Sequence, residues 1–180
     1  MKGILAAKRY SQAIITDLDE KEIHSILSDV EILQSTLAKY PEILSILNSH
    51  LYTHDLRLEI VHEMSKNLKN SKLWENLFSI LLKKHRFIIL NLILQDMEKN
   101  ILHIKNQIKI DMTIAHELSK KMLDSISKKI EDIVKKDVIL NIKIDPDILG
   151  GFVARTDSMV IDGSIKNNLV KLLNVKSIKQ

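Results

Sequence analysis

Apolar residues along roughly the first 105 positions recur at the three-to-four-residue spacing of amphipathic helices. This spacing predicts six helices, the sixth from about His85 to Lys105. Residues on the apolar faces of the six helices are, in order, Ala7 and Ile14, Ile23 and Leu37, Leu44 and Leu47, Leu56 and Met64, Leu77 and Leu81, and Leu94. Only short links separate these segments, which is typical of a compact helical bundle.

The period of the apolar residues changes after about residue 105. Ile108, Ile110 and Met112 alternate with polar residues, and this two-residue repeat predicts a half-buried strand. Helical spacing returns from Leu118 to Ile133, and a second alternating segment follows from Val138 to Ile144. The order is therefore strand, helix, strand.

The remaining sequence predicts two further short strands and a last helix. Gly150-Gly151 opens an extended segment, Asp162-Gly163 ends the next one, and Ser164 is placed to cap a final helix. The fold class is accordingly mainly α, with an N-terminal six-helix bundle over residues 1–105 followed by a small α/β C-terminal domain over residues 106–180.

Composition excludes several classes of function. The 180 residues contain no cysteine, which excludes disulfides, thiolate metal sites and thiol nucleophiles. The net charge of +4 comes from 27 basic and 23 acidic residues interspersed along the chain, so no nucleic-acid partner is expected. The longest apolar stretch, Phe87 to Leu94, is far shorter than the roughly 20 residues of a membrane-spanning helix.

Motifs that would carry chemistry are incomplete. His62-Glu63 and His116-Glu117 each begin like the zinc motif H-E-x-x-H, but Lys66 and Lys120 occupy the position of the second histidine. Gly150-Gly151 is not followed by the Gly-Lys-Ser/Thr of a phosphate-binding loop. We therefore predict no catalytic residue, no metal site and no cofactor, and we expect the protein not to be an enzyme.

The fifth helix carries an unusually broad apolar stripe, made by Leu73, Trp74, Leu77, Phe78, Leu81 and Leu82. Such a stripe suits a buried core, and it also suits a groove that receives a helix from a partner. The pattern alone leaves both interpretations open.

Both ends of the chain resemble a known family. The segment from Gly150 to Leu173 matches its C-terminal signature at positions that include Gly150, Gly151, Arg155, Asp157, Asp162, Gly163, Ser164 and Leu169. Ala7-Lys8-Arg9-Tyr10 with Ala13 is similar to its opening motif, whereas His85 stands where the family has a glycine. The family is the delta subunit of bacterial F-type ATP synthases, the counterpart of the mitochondrial oligomycin sensitivity-conferring protein.

The resemblance implies a non-catalytic stator subunit of the peripheral stalk, present in one copy in a hetero-oligomeric complex. Its bundle would bind the N-terminal helix of the alpha subunit, and its C-terminal domain would bind the C-terminal end of the b subunit. It would lie peripherally on the cytoplasmic side of the bacterial plasma (inner) membrane and support proton-driven ATP synthesis. A helical protein–protein adaptor unrelated to ATP synthase is the alternative.

The resemblance also implies a head-side groove between the first and fifth helices. The residues expected to line it are Tyr10, Ala13, Ile14, Leu77, Phe78 and Leu81. The signature positions from Gly150 to Leu169 are expected to define the fold of the second domain and not to contact a partner.

Overall fold

The protein is predominantly helical in the computed structural model, which describes residues 2–16, 18–156, 159–167 and 169. The helices are α1 (Lys2–Thr16), α2 (Glu20–Lys39), α3 (Glu42–Asn48), α4 (His54–Lys66), α5 (Ser71–Lys83), α6 (Leu90–Ile104) and α7 (Lys120–Val134). Contacts divide the chain into two compact units, unit 1 (Met1–Ile101) and unit 2 (Leu102–Gln180). The assignment of residues 1–105 and 106–180 as domains with separate partners stays a prediction.

Unit 2 is built on a mixed sheet whose strands are β1 (Gln107–Ile114), β2 (Asp137–Ile144), β3 (Phe152–Arg155) and β4 (Val160–Asp162). The strand order is β2-β1-β3-β4, with β1 parallel to β2, and with β3 antiparallel to both β1 and β4. The change in the spacing of apolar residues, from helical to alternating, therefore predicted β1 and β2 correctly. The predicted fold class, mainly α with a small α/β C-terminal part, is confirmed.

Helix α7 covers one face of this sheet. Ile130 of α7 is buried with Ile110 of β1 and Ala154 of β3, and neighbouring apolar residues such as Ile126 pack against them. Met122 and Ile133 belong to the same predicted row from Leu118 to Ile133 but are exposed. The next residue, Val134, packs against the sheet core instead.

Aromatic side chains form the centre of the core of unit 1. The ring centroids of Trp74 and Phe78 lie 5.9 Å apart, and those of Phe78 and Phe87 lie 5.8 Å apart. All three side chains are fully buried. The broad stripe of α5 is thus largely a core face, which was one of the two interpretations that its spacing allowed.

A buried carboxylate connects α2 to the turn before α5. Asp29 is fully buried, and its oxygens accept hydrogen bonds from the backbone N–H groups of Lys69 and Asn70 at 2.9 and 3.0 Å. The side-chain Nδ2 of Asn70 and the indole Nε1 of Trp74 donate to Oδ2, each at 2.9 Å. The charge is therefore surrounded by donors, as a buried carboxylate requires.

We expect Asp29→Ala to lower the free energy of unfolding of unit 1 by about 3 kcal/mol, because it leaves these donors without their acceptor. Urea unfolding followed by the fluorescence of Trp74, the only tryptophan of the chain, measures this change. Glu31→Ala removes an exposed carboxylate from the same helix and should change the stability by less than about 0.5 kcal/mol. Equal losses in the two variants would contradict the role of Asp29.

The predicted sixth helix begins later than its apolar pattern suggests. Residue His85 adopts a left-handed backbone with φ 52°, and a short 3-10 helix over Phe87–Ile89 precedes α6. The N–H groups of His85 and Arg86 donate to the carbonyl oxygens of Leu82 and Leu81 at 3.1 and 2.9 Å. These two bonds form a Schellman motif that ends α5, so the helix cannot continue through His85.

Glycine is favoured at the left-handed position of a Schellman motif, so His85 strains the backbone. We expect the protein with His85→Gly to be more stable than the protein with His85→Ala by about 1 kcal/mol. Both substitutions remove the ring contact that His85 makes with His50, whose centroids lie 4.5 Å apart. The difference in their urea midpoints therefore isolates the backbone effect, and identical midpoints would rule it out.

Helix α4 does not bury the face that its apolar spacing predicts. The buried residues of α4 are Arg57, Val61 and Ser65. Ile60 and Met64 are only half-buried, and Leu56 is 41% exposed. The apolar stripe of α4 therefore lies at the edge of the core and partly faces solvent.

Candidate functional site

The predicted groove residues of α1 lie at the surface of unit 1. Ala13 is exposed, whereas Tyr10 and Ile14 are half-buried and pack against the core. Lys8 and Arg9 are exposed on the same helix, and α1 contains no acidic residue. The surface of α1 thus combines a small residue and apolar edges with positive charge.

The predicted groove residues of α5 lie deeper. The structure buries Leu77, Phe78 and Leu81 in the core of unit 1. The exposed large apolar residue of α5 is Ile80, at 47%, which is not one of the predicted groove residues. Contact of a partner with Leu77, Phe78 and Leu81 stays a prediction, since nothing in the structure brings them to the surface.

The signature residues of unit 2 hold the chain around the end of β3. Gly151 has φ 78°, a backbone conformation that favours glycine, and a Cβ added there would collide with the carbonyl oxygen of Gly163. The Gly163 N–H donates to the carbonyl of Phe152 at 2.9 Å, and the Ile165 N–H donates to the carbonyl of Gly150 at 3.0 Å. The backbone of Gly163 therefore leaves no room for a side chain at Gly151.

Asp162 and Ser164 organise the start of the segment that follows β4. The Ser164 N–H donates to Oδ1 of Asp162 at 3.0 Å, and Oγ of Ser164 accepts from the Asn167 N–H at 3.1 Å. The second bond is the N-terminal cap expected of Ser164, because residues 165–167 are helical. Arg155 and Leu169 are exposed, and the predicted signature position Asp157 lies outside the described residues.

The described residues offer little for other kinds of site. No group of three or more His, Asp or Glu side chains in the described ranges could hold a metal ion. None of the helices in that part of the chain is long and apolar enough to cross a membrane. Large apolar side chains that stay exposed on the described helices include Ile80 and Leu56.

Comparison with known proteins identifies the family. The family described as ATP synthase delta (OSCP) subunit matches residues 6–175, so the chain belongs to this family. Similar proteins named ATP synthase subunit delta include one from Carboxydothermus hydrogenoformans, 27% identical over 96% of this chain and 97% of that protein. Another, from Roseobacter denitrificans, is 26% identical over 93% of this chain and 91% of that protein.

A solved structure supports the same fold. One chain of the mitochondrial ATP synthase hexamer of Toxoplasma gondii has a TM-score of 0.70, covering 93% of this chain and 95% of that chain, at 13% sequence identity. The resemblance inferred from the two ends of the sequence is therefore confirmed. An adaptor unrelated to ATP synthase is no longer supported.

The glycine contacts allow a direct test of the signature. We expect Gly151→Ala to destabilise unit 2 by about 2 kcal/mol, because alanine is strained at positive φ and its Cβ meets backbone. Gly163→Ala should cost less than about 1 kcal/mol, since its Cβ would lie 3.5 Å from the nearest atom. Hydrogen exchange of the Ala154 amide in β3 measures both, and equal costs would contradict this assignment.

Proposed function

We propose that this protein is a structural, non-catalytic subunit of the peripheral stalk of an F-type ATP synthase. The observation that carries the proposal is the family match, which extends from residue 6 to residue 175 and so covers almost the whole of both units. The subunit links the catalytic head to the b-subunit stalk and transmits force between them. Proton flow and ATP synthesis belong to the complex, in which it is one copy among different subunits, held peripherally at the cytoplasmic side of the bacterial inner membrane.

Unit 1 provides the attachment to the head. Its α1 surface receives the N-terminal helix of an alpha subunit, with Tyr10 and Ile14 as apolar contacts and Ala13 allowing close approach of the incoming backbone. Ile80 of α5 is exposed and provides a further apolar contact for the alpha-subunit helix. Resistance to rotor torque requires slow dissociation, so we expect nanomolar affinity, about −12 kcal/mol.

Unit 2 provides the attachment to the stalk, through the C-terminal end of the b subunit. Its described surface includes the exposed apolar side chains of Met122, Ile133 and Leu169. These side chains are not needed for the sheet core, which is formed by Ile110, Ile130 and Ala154 and the residues packed on them. Exposed apolar positions of this kind are available for a helical partner.

Purification of the complex from membranes tests the proposal as a whole. An affinity tag on this chain should recover the alpha, beta and b subunits together from detergent-solubilised membranes. Recovery of the chain without any of these subunits would reject the proposed function.

The α1 surface has its own test. We expect Ala13→Asp to weaken binding of a peptide of the alpha-subunit N-terminus by at least about tenfold, because it places an unpaired charge in an apolar contact. Isothermal titration calorimetry with the full-length chain measures this affinity. Ala38→Asp makes the same change at an exposed position of α2 and should leave the affinity unchanged.

Both variants should keep the helical content of the parent in circular dichroism, since both positions are exposed. An unaltered affinity in the Ala13→Asp protein would reject the α1 surface. The assignment of the protein to the peripheral stalk would then still be tested separately, by the purification experiment.

A further inference from the structure

A second apolar surface of unit 1 lies away from the predicted groove residues. A groove of about 620 Å³ runs between α2 and α4, and its lining residues include Ile32, Tyr40, Ile43, Leu56, Ile60 and Met64. Ile32 is 42% exposed and Leu56 is 41% exposed, so apolar surface remains open to solvent along both walls. Its volume is within the range of sites that bury a few apolar groups of a partner.

Packing of unit 1 accounts for only part of the apolar row on α4, because Ile60 and Met64 pack against the core but stay half-buried, and Leu56 is exposed. Leu56, Ile60 and Met64 stand four residues apart on one face of the helix, whereas Val61 and Ser65 occupy its buried positions. Exposed apolar rows are uncommon on a surface that binds nothing. The row therefore indicates an interface.

Acidic side chains follow the same helix beside this apolar row. Asp55, Glu59 and Glu63 also stand four residues apart, all are exposed, and Glu59 and Glu63 line the groove. Like charges at this spacing repel one another and destabilise a helix. The Nζ atom of Lys66 lies 3.4 Å from Oε1 of Glu63, so its positive charge offsets part of this repulsion.

None of the described residues that line the groove is basic. Its polar lining consists of Thr36, Tyr40 and Asn67 besides Glu59 and Glu63. At the end of α2, Nζ of Lys39 lies 5.3 Å from the centroid of the Tyr40 ring. An apolar floor with one acidic wall favours a partner that carries apolar anchors and positive charge on the same face.

We propose that the groove between α2 and α4 binds an amphipathic helix in which apolar anchors at i, i+3, i+4 and i+7 are flanked by Lys or Arg at four-residue spacing. The anchors contact Ile32, Ile60 and Met64, and the cations pair with Glu59 and Glu63. Repulsion by the same two carboxylates excludes acidic amphipathic helices. This site is separate from the α1 surface and does not rest on the function proposed there.

Two labelled peptides test the charge preference on the full-length protein. One is an amphipathic helix of leucine and lysine of about 14 residues, or about four turns, and the other has glutamate in place of every lysine. Fluorescence anisotropy should show that the lysine peptide binds at least about tenfold more tightly at low salt, with the preference declining as salt is added.

Variants of α4 locate the binding. Glu59→Lys with Glu63→Lys should reverse the preference, and Glu59→Gln with Glu63→Gln should abolish it without reversal. Ile60→Asp should weaken binding of the lysine peptide by at least about tenfold, because it places a charge on the apolar floor. Asp124→Lys with Asp132→Lys makes the same charge change on exposed positions of α7 and should leave the preference intact.

Several outcomes would overturn the proposal. Equal binding of the two peptides removes the charge preference, and an equal effect of the α4 and α7 charge reversals shows only general attraction to the protein. Binding that survives Ile60→Asp shows that the groove is not used. Sedimentation as a dimer that Leu56→Asp converts to a monomer would show that a second copy of this chain covers the groove instead.

Discussion

The buried charge of Asp29 determines how the helices of unit 1 fit together. A carboxylate removed from water is unfavourable by several kcal/mol unless donors surround it, so the turn before α5 has to direct its N–H groups toward α2. The backbone donors of Lys69 and Asn70 and the indole of Trp74 meet this requirement. Because Trp74 begins the buried face of α5, the same contact places Phe78 and Leu81 in the core.

This arrangement leaves apolar surface on other helices. The widest apolar face of unit 1 is used inside it, and the apolar residues that remain exposed include Leu5 on α1 and Leu56 on α4. The two helices differ in charge, since α1 contains no acidic residue and α4 carries Asp55, Glu59 and Glu63. Two surfaces with similar apolar contacts but opposite charge can bind different partners, because each repels a partner of its own charge.

Local spacing predicted the elements of the fold well, and tertiary contacts explain where it was insufficient. The alternation from Ile108 to Ile114 identified β1 because neighbouring side chains of a strand point to opposite faces. Spacing could not show that Leu56 faces solvent or that Phe78 is buried, since both belong to regular apolar rows. The role of Asp29 depends on donors about 40 residues later in the chain, and no local pattern contains that information. The left-handed backbone of His85 was not visible in the residue itself, because glycine is usual at such a position, and only the family's glycine there pointed to it.

The strand order of unit 2 has a consequence for synthesis on the ribosome. The first strand made, β1, lies inside the sheet between β2 and β3, so its hydrogen-bonding groups stay unpaired until both later strands have emerged. Unit 1 ends at Ile101 and can complete its own contacts before then. We therefore expect vectorial folding, in which the helical unit forms early and β1 is the segment of the nascent chain most in need of protection by chaperones.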